Sequence, residues 1–225
     1  MRSATRVLSL LLLLFAGSVS QTTFAQSVLD PTDPIVDYNP AAPPAQPAPN
    51  TIGKWVRTPR LSWNTSRYKC YVFNGVAFRL LYPKSYNPTA NDGKKYPMMV
   101  FFHGLGETGT IYDNEFQLYH GGDYFVYSQD QGNYDGYILV MQSQGFWGGG
   151  HYAYAKQIID YMVKYNKLDA FRVTDNGLSA GGAATWDMFL TYPTYIAAAL
   201  PMSATAIYYK DAPTPDVVKF TPWWN

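Results

Sequence analysis

The sequence predicts an α/β fold, a mostly parallel sheet with helices on both faces, from three observations. Tyr96 to Phe102 and Tyr137 to Met141 are continuous apolar runs, as in strands covered on both sides. Between Tyr152 and Tyr165, Ala155, Ile158, Ile159, Met162 and Val163 recur at helical spacing. Strand and helix patterns then alternate along the chain, which is the order that winds a parallel sheet.

Each element follows in turn. Residues 1–25 read as a signal peptide: Arg2 and Arg6 precede an apolar run from Val7 to Phe15, and Thr23-Phe24-Ala25 offers a small-x-small cleavage site before Gln26. The run is shorter than the roughly 20 residues a membrane span requires, so neither a span nor a membrane anchor is expected. Residues 26–53 are rich in Pro and Ala, most densely from Pro40 to Pro49. They read as a linker, because such a stretch favours extended conformations and buries little.

Globular patterning begins near Lys54, and residues 54–225 form the expected domain. Tyr68 to Tyr82 is aromatic and β-branched, broken at Asn74-Gly75, a hairpin signal. Asn87 to Lys95 reads as a loop. After the helix comes a short strand from Phe171 to Asn176, a helix from Gly182 to about Thr191, and a strand from Ile196 to Met202.

Composition narrows the function. With 47% hydrophobic and 15% charged residues a sizeable core is available. The formal net charge is +1; without Arg2 and Arg6 the 17 Lys and Arg fall to 15 against 16 acids. No nucleic-acid partner is expected from that balance. Cys70 stands alone, so no internal disulfide can form. It is either buried and inert or has a partner missing from this chain. No Cys/His metal spacing, dinucleotide glycine fingerprint or P-loop appears, so neither metal nor cofactor is expected.

The chemistry concentrates at Gly177-Leu178-Ser179-Ala180-Gly181, a G-x-S-x-G pattern between a strand and a helix. Flanking glycines allow the sharp turn that lifts the Ser179 hydroxyl to a helix N-terminus. His103-Gly104-Leu105-Gly106-Glu107 follows an earlier apolar strand, where this kind of loop supplies a second oxyanion donor. The expected catalytic set is Ser179 as nucleophile with the backbone N–H groups of Leu105 and Ala180 as oxyanion donors. His103 is expected to hydrogen-bond the loop rather than move protons. Trp147, in Gly145-Phe146-Trp147-Gly148, is the candidate substrate-binding residue, with Tyr152 and Tyr154 beside it. An aromatic wall and a simply packed loop explain that segment equally well.

These motifs, with Gln142-Ser143-Gln144-Gly145, the strand Arg172 to Asn176 and Pro201-Met202-Ser203, resemble extracellular α/β-hydrolases. The group is that of poly(3-hydroxybutyrate) depolymerases and feruloyl and acetylxylan esterases, and the likeness runs from about Tyr68 to Ala204. It implies an α/β-hydrolase fold and a secreted or periplasmic serine esterase. Its ester substrate would be polysaccharide-linked or a polyester, attacked through an acyl-serine intermediate. In that fold the triad acid and histidine follow the serine along the chain. Here His103, His120 and His151 all precede Ser179, and Asp211 and Asp216 lie in Pro-rich surroundings poorly suited to a triad acid.

The expectation is therefore an N-terminal portion of the domain. The C-terminal part, including the acid and base, is missing, and the fragment is inactive. Recruitment of His151 or His120 is the competing explanation. A non-catalytic glycan-binding module with a vestigial serine, or a peptidase of the same fold, are the alternative functions.

Overall fold

The computed structural model describes residues 27–204. The expected signal peptide, and Asp211 and Asp216, lie outside the described residues. So do the tryptophans near the C-terminus.

Among the described residues one seven-stranded sheet carries the fold, in the order β1-β2-β3-β5-β4-β6-β7. Its antiparallel side is β1 (Ile52–Lys54), β2 (Tyr68–Phe73) and β3 (Val76–Leu81), joined to β5 (Tyr137–Met141). The other side is parallel: β5, β4 (Tyr96–Phe102), β6 (Leu168–Leu178) and β7 (Ala198–Met202). Asn74 and Gly75 take φ of 50° and 74°, so the β2–β3 hairpin turns on two left-handed residues, as the Asn-Gly pair requires.

Helices cover both faces. α2 (Gly149–Tyr165) and α3 (Ala180–Thr191) bury Ile158, Ile159, Met162, Met188 and Phe189 against Met98, Val100 and Phe102. α1 (Gly122–Asp130) packs Phe125 and Val126 on the opposite face, over Phe101, Ile138 and Val140. Successive β4 side chains thus enter different cores, which explains the unbroken apolar run.

Three details differ from the pattern. α1 carries no sequence signal, because Tyr124 and Tyr127 are exposed and only two apolar residues meet the sheet. β6 starts at Leu168 rather than Phe171, since Tyr96 pairs with Leu168 before the register shifts. α2 and α3 each begin a few residues earlier than the apolar spacing marks, where glycines and alanines leave no stripe to read. The Pro- and Ala-rich segment is tied to the domain at both ends. Leu29 is buried, with Asn166 Nδ2 donating to its carbonyl at 3.0 Å, and Asn50 N–H donates to Asn74 Oδ1 at 2.6 Å. Cys70 is buried on β2, and burial pushes its thiol pKa up, which leaves it protonated and unreactive.

Candidate active site

The loops leaving the carboxyl ends of β4, β5 and β6 converge on one cavity of about 410 Å³. Leu105, Trp147, Tyr152, Ser179, Ala180 and Asp187 are among its walls. Ends of parallel strands are where an open α/β sheet leaves room for a ligand.

Ser179 joins β6 to α3 with φ 57° and ψ −115°, a conformation few non-glycine residues adopt. Close backbone approach holds it there. Its N–H donates to Met202 O on β7 at 3.0 Å, and Ala183 N–H donates to its carbonyl at 3.1 Å. A Cβ on Gly177 would stand 2.2 Å from Gly181 O, and one on Gly181 would stand 1.9 Å from Phe102 O. No side chain fits at either position. The strand, the helix and β4 can therefore come together under the serine, whose side chain is left exposed.

Ala180 is the first residue of α3, so its N–H has no partner inside the helix. Leu105 opens a 3-10 turn, Leu105–Glu107, and lines the same cavity. The structure thus brings Ser179, Ala180, Leu105 and Trp147 together. Trp147 is fixed edge-on to Phe102 at 4.9 Å, and its Nε1–H donates to His103 O at 2.9 Å.

None of the three histidines hydrogen-bonds to Ser179. His103 is buried: Nδ1 meets Gly104 O at 2.7 Å, and Nε2 accepts the Ser143 N–H at 3.0 Å. Those partners require a neutral ring with its proton on Nδ1. Burial lowers its pKa to about 4, which keeps it neutral. His120 gives its Nδ1 to Glu107 Oε1 at 2.7 Å. His151 accepts the Gly148 N–H at Nδ1, 3.3 Å away, and packs edge-on against Trp147 at 5.2 Å.

Three residues of the site went unread in the sequence. Glu107 is buried; its Oε2 accepts the Gly104 N–H at 2.7 Å while Oε1 takes His120, so it ties down the loop that carries Leu105. An acid three residues after Gly104 has the spacing of a capping box, which was the available signal. Asp187 accepts the Tyr152 hydroxyl at 3.0 Å, one helical face along from Ala180 and Ala184. Asp175 lies in the strand beneath the elbow, between Val100 and Ala199, and is 1% exposed. Burial raises its carboxyl pKa well above the usual range, offset only in part by its own backbone N–H, and no other described residue hydrogen-bonds either oxygen. A lone acid among apolar residues gives no hint in sequence of which way it points.

No protein-family model matches the chain. Over 113 residues, 48% of this chain, it is 33% identical to poly(3-hydroxyalkanoate) depolymerase C of Paucimonas lemoignei, covering 27% of that protein. A solved structure described as a thermostable esterase is 26% identical with a TM-score of 0.59, over 70% of this chain and 45% of that one. The chain has the α/β-hydrolase fold, and its resemblance to the polyester depolymerase and esterase group is borne out. It spans about a quarter of the curated relative's length and less than half of the esterase's.

Proposed function

We propose that the chain carries the nucleophile side of a secreted serine carboxylic-ester hydrolase that works through an acyl-serine intermediate. The observation that carries this reading is the strained, exposed Ser179 between two helix-opening residues, Leu105 and Ala180, around one cavity. Ser179 Oγ attacks the ester carbonyl carbon and gives up its proton to a base. The carbonyl oxygen becomes an oxyanion facing the N–H groups of Leu105 and Ala180, donors already oriented before the charge develops. The C–O bond to the alcohol then breaks, the alcohol leaves with a proton, and water releases the acid from Ser179.

A serine hydroxyl is a weak nucleophile without that base. None of the three histidines hydrogen-bonds to Ser179, so these 225 residues alone are expected to turn over negligibly. The matched relatives are a polyester depolymerase and an esterase, which supports carboxylic esters as the substrate class. Secretion rests on the pattern of residues 1–25. If it holds, the exported protein begins at Gln26 on N-terminal sequencing.

The test is acylation with p-nitrophenyl acetate, with imidazole added as a free base. We expect imidazole-dependent acetylation that mass spectrometry maps to Ser179 and that Ser179→Ala removes. Failure to acetylate Ser179 at saturating imidazole would sink the nucleophile assignment. Enzyme-like turnover without imidazole, abolished in Ser179→Ala, would overturn the missing base.

A further inference from the structure

A single charge lines the cavity beside Ser179. Among its described lining residues Asp187 is the only acid, and none is Lys, Arg or His. Ala180, Ala183, Ala184 and Asp187 all line the cavity, which is the i, i+3, i+4, i+7 spacing of one helix face, so Asp187 stands on the side of α3 that the cavity occupies. It lies about 10 Å along the helix from the Ala180 N–H that awaits the oxyanion. The helix residues lining the cavity between them are alanines, which leave the space over α3 unfilled.

The carboxylate is held in place. Buried Tyr152 donates its hydroxyl to Asp187 Oδ2 at 3.0 Å, while Asp187 itself is only half-buried. Phe146, 77% exposed, and Trp147, fixed by its bond to His103 O, line the same cavity. An aromatic ring attracts a cation over its face, and a carboxylate attracts one more strongly where little water screens it. A neutral alkyl ester gains nothing from either attraction, and an ester ending in a carboxylate is repelled. An ammonium group on a short spacer from the ester carbonyl gains from both.

We propose that Asp187 determines specificity at this site, and that the ester cleaved at Ser179 bears an alkylammonium group that lies over α3 against the Asp187 carboxylate. The proposal rests on the reading of Ser179 as an ester nucleophile.

The test titrates the whole chain by NMR with two pairs of esters that differ only in charge. Butyrylcholine and its uncharged isostere 3,3-dimethylbutyl butyrate place the group on the alcohol. Ethyl 4-(trimethylammonio)butanoate and ethyl 5,5-dimethylhexanoate place it on the acyl chain. In at least one pair we expect saturable shifts at Trp147 and Asp187, with the cation bound about tenfold tighter than its isostere. Asp187→Asn keeps an acceptor for Tyr152 and should bring that ratio close to one. High salt should narrow it in the unsubstituted chain, a reading that needs no variant to fold. Equal binding within both pairs, shifts away from Trp147 and Asp187, or a preference that survives Asp187→Asn or is indifferent to salt would each overturn the proposal. Imidazole-dependent acetylation of Ser179 is read separately. If acetylation persists without any charge preference, only the role of Asp187 falls; if acetylation is lost, the nucleophile falls and the ester substrate with it.

Discussion

At the carboxyl end of β6, backbone packing places Ser179: two glycines let strand, helix and β4 come together, and both hydrogen bonds of the Ser179 backbone run to other backbone groups. At the carboxyl end of β4, the neighbouring loop is held by side chains, through His103, Glu107 and Gln142. The two ends face one cavity, yet they are exposed to different failures. A backbone-built turn tolerates changes of pH and breaks on a single methyl. A side-chain-built loop accommodates small steric changes and weakens when a partner is protonated or removed.

The largest effect should come from Gly181→Ala. Its Cβ would stand 1.9 Å from Phe102 O, a backbone atom of β4 that cannot step aside. We expect a loss above about 4 kcal/mol, seen as an early or absent cooperative urea transition. A normal transition would show that the β6 end is not locked by packing.

Next is the acid response of the β4 end. His103 has its folded pKa lowered to about 4 against roughly 6.5 unfolded, so its contribution is whole above pH 6.5 and is lost as pH falls toward 4. The full span is about 3 kcal/mol. Urea denaturation at stepped pH, with His103→Gln as reference, measures it; a reference with the same pH slope would refute the coupling.

Glu107→Ala should cost about 2 kcal/mol, because it strips the acceptor from the buried Gly104 N–H and from His120. Glu107→Gln keeps an acceptor and should lose less. Equal losses in the two variants would mean that the hydrogen bond is immaterial.

The smallest effect has the opposite sign. Asp175→Val removes a buried carboxyl that no other described residue hydrogen-bonds and should stabilise by about 1 kcal/mol near pH 4. The folded pKa of Asp175 is raised, so the folded chain holds a proton that the unfolded chain releases above about pH 4. Wild-type stability therefore falls as pH rises from there, by at most about 1.4 kcal/mol per pH unit. The variant should lose this slope, and its gain should widen with pH. Destabilisation instead would mean that Asp175 holds the strand beneath the elbow.

Much of this was legible in the sequence. Apolar runs marked β4 and β5, helical spacing marked α2, Asn74-Gly75 marked the hairpin, and the two glycine-flanked motifs named Ser179, Leu105 and Ala180. Each depends on local chemistry: periodicity, turn preference, or the room a glycine leaves. α1 was missed because burying Phe125 and Val126 leaves no stripe along the helix. Glu107 and Asp187 were missed because their roles depend on partners 3 and 35 positions away in the chain, Gly104 and Tyr152, and Asp175 because its burial depends on the strands on either side.

The sequence by itself determined the strand–serine–helix turn and the position of every histidine before it, because chain order and glycine sterics are local properties. Only the tertiary structure decided what those histidines do. Folding the sheet spends both His103 nitrogens on Gly104 and Ser143, gives His120 to Glu107, and sets His151 Nδ1 to accept the Gly148 N–H. Hydrogen-bond partners are fixed by where strands end in space, and no linear pattern records that.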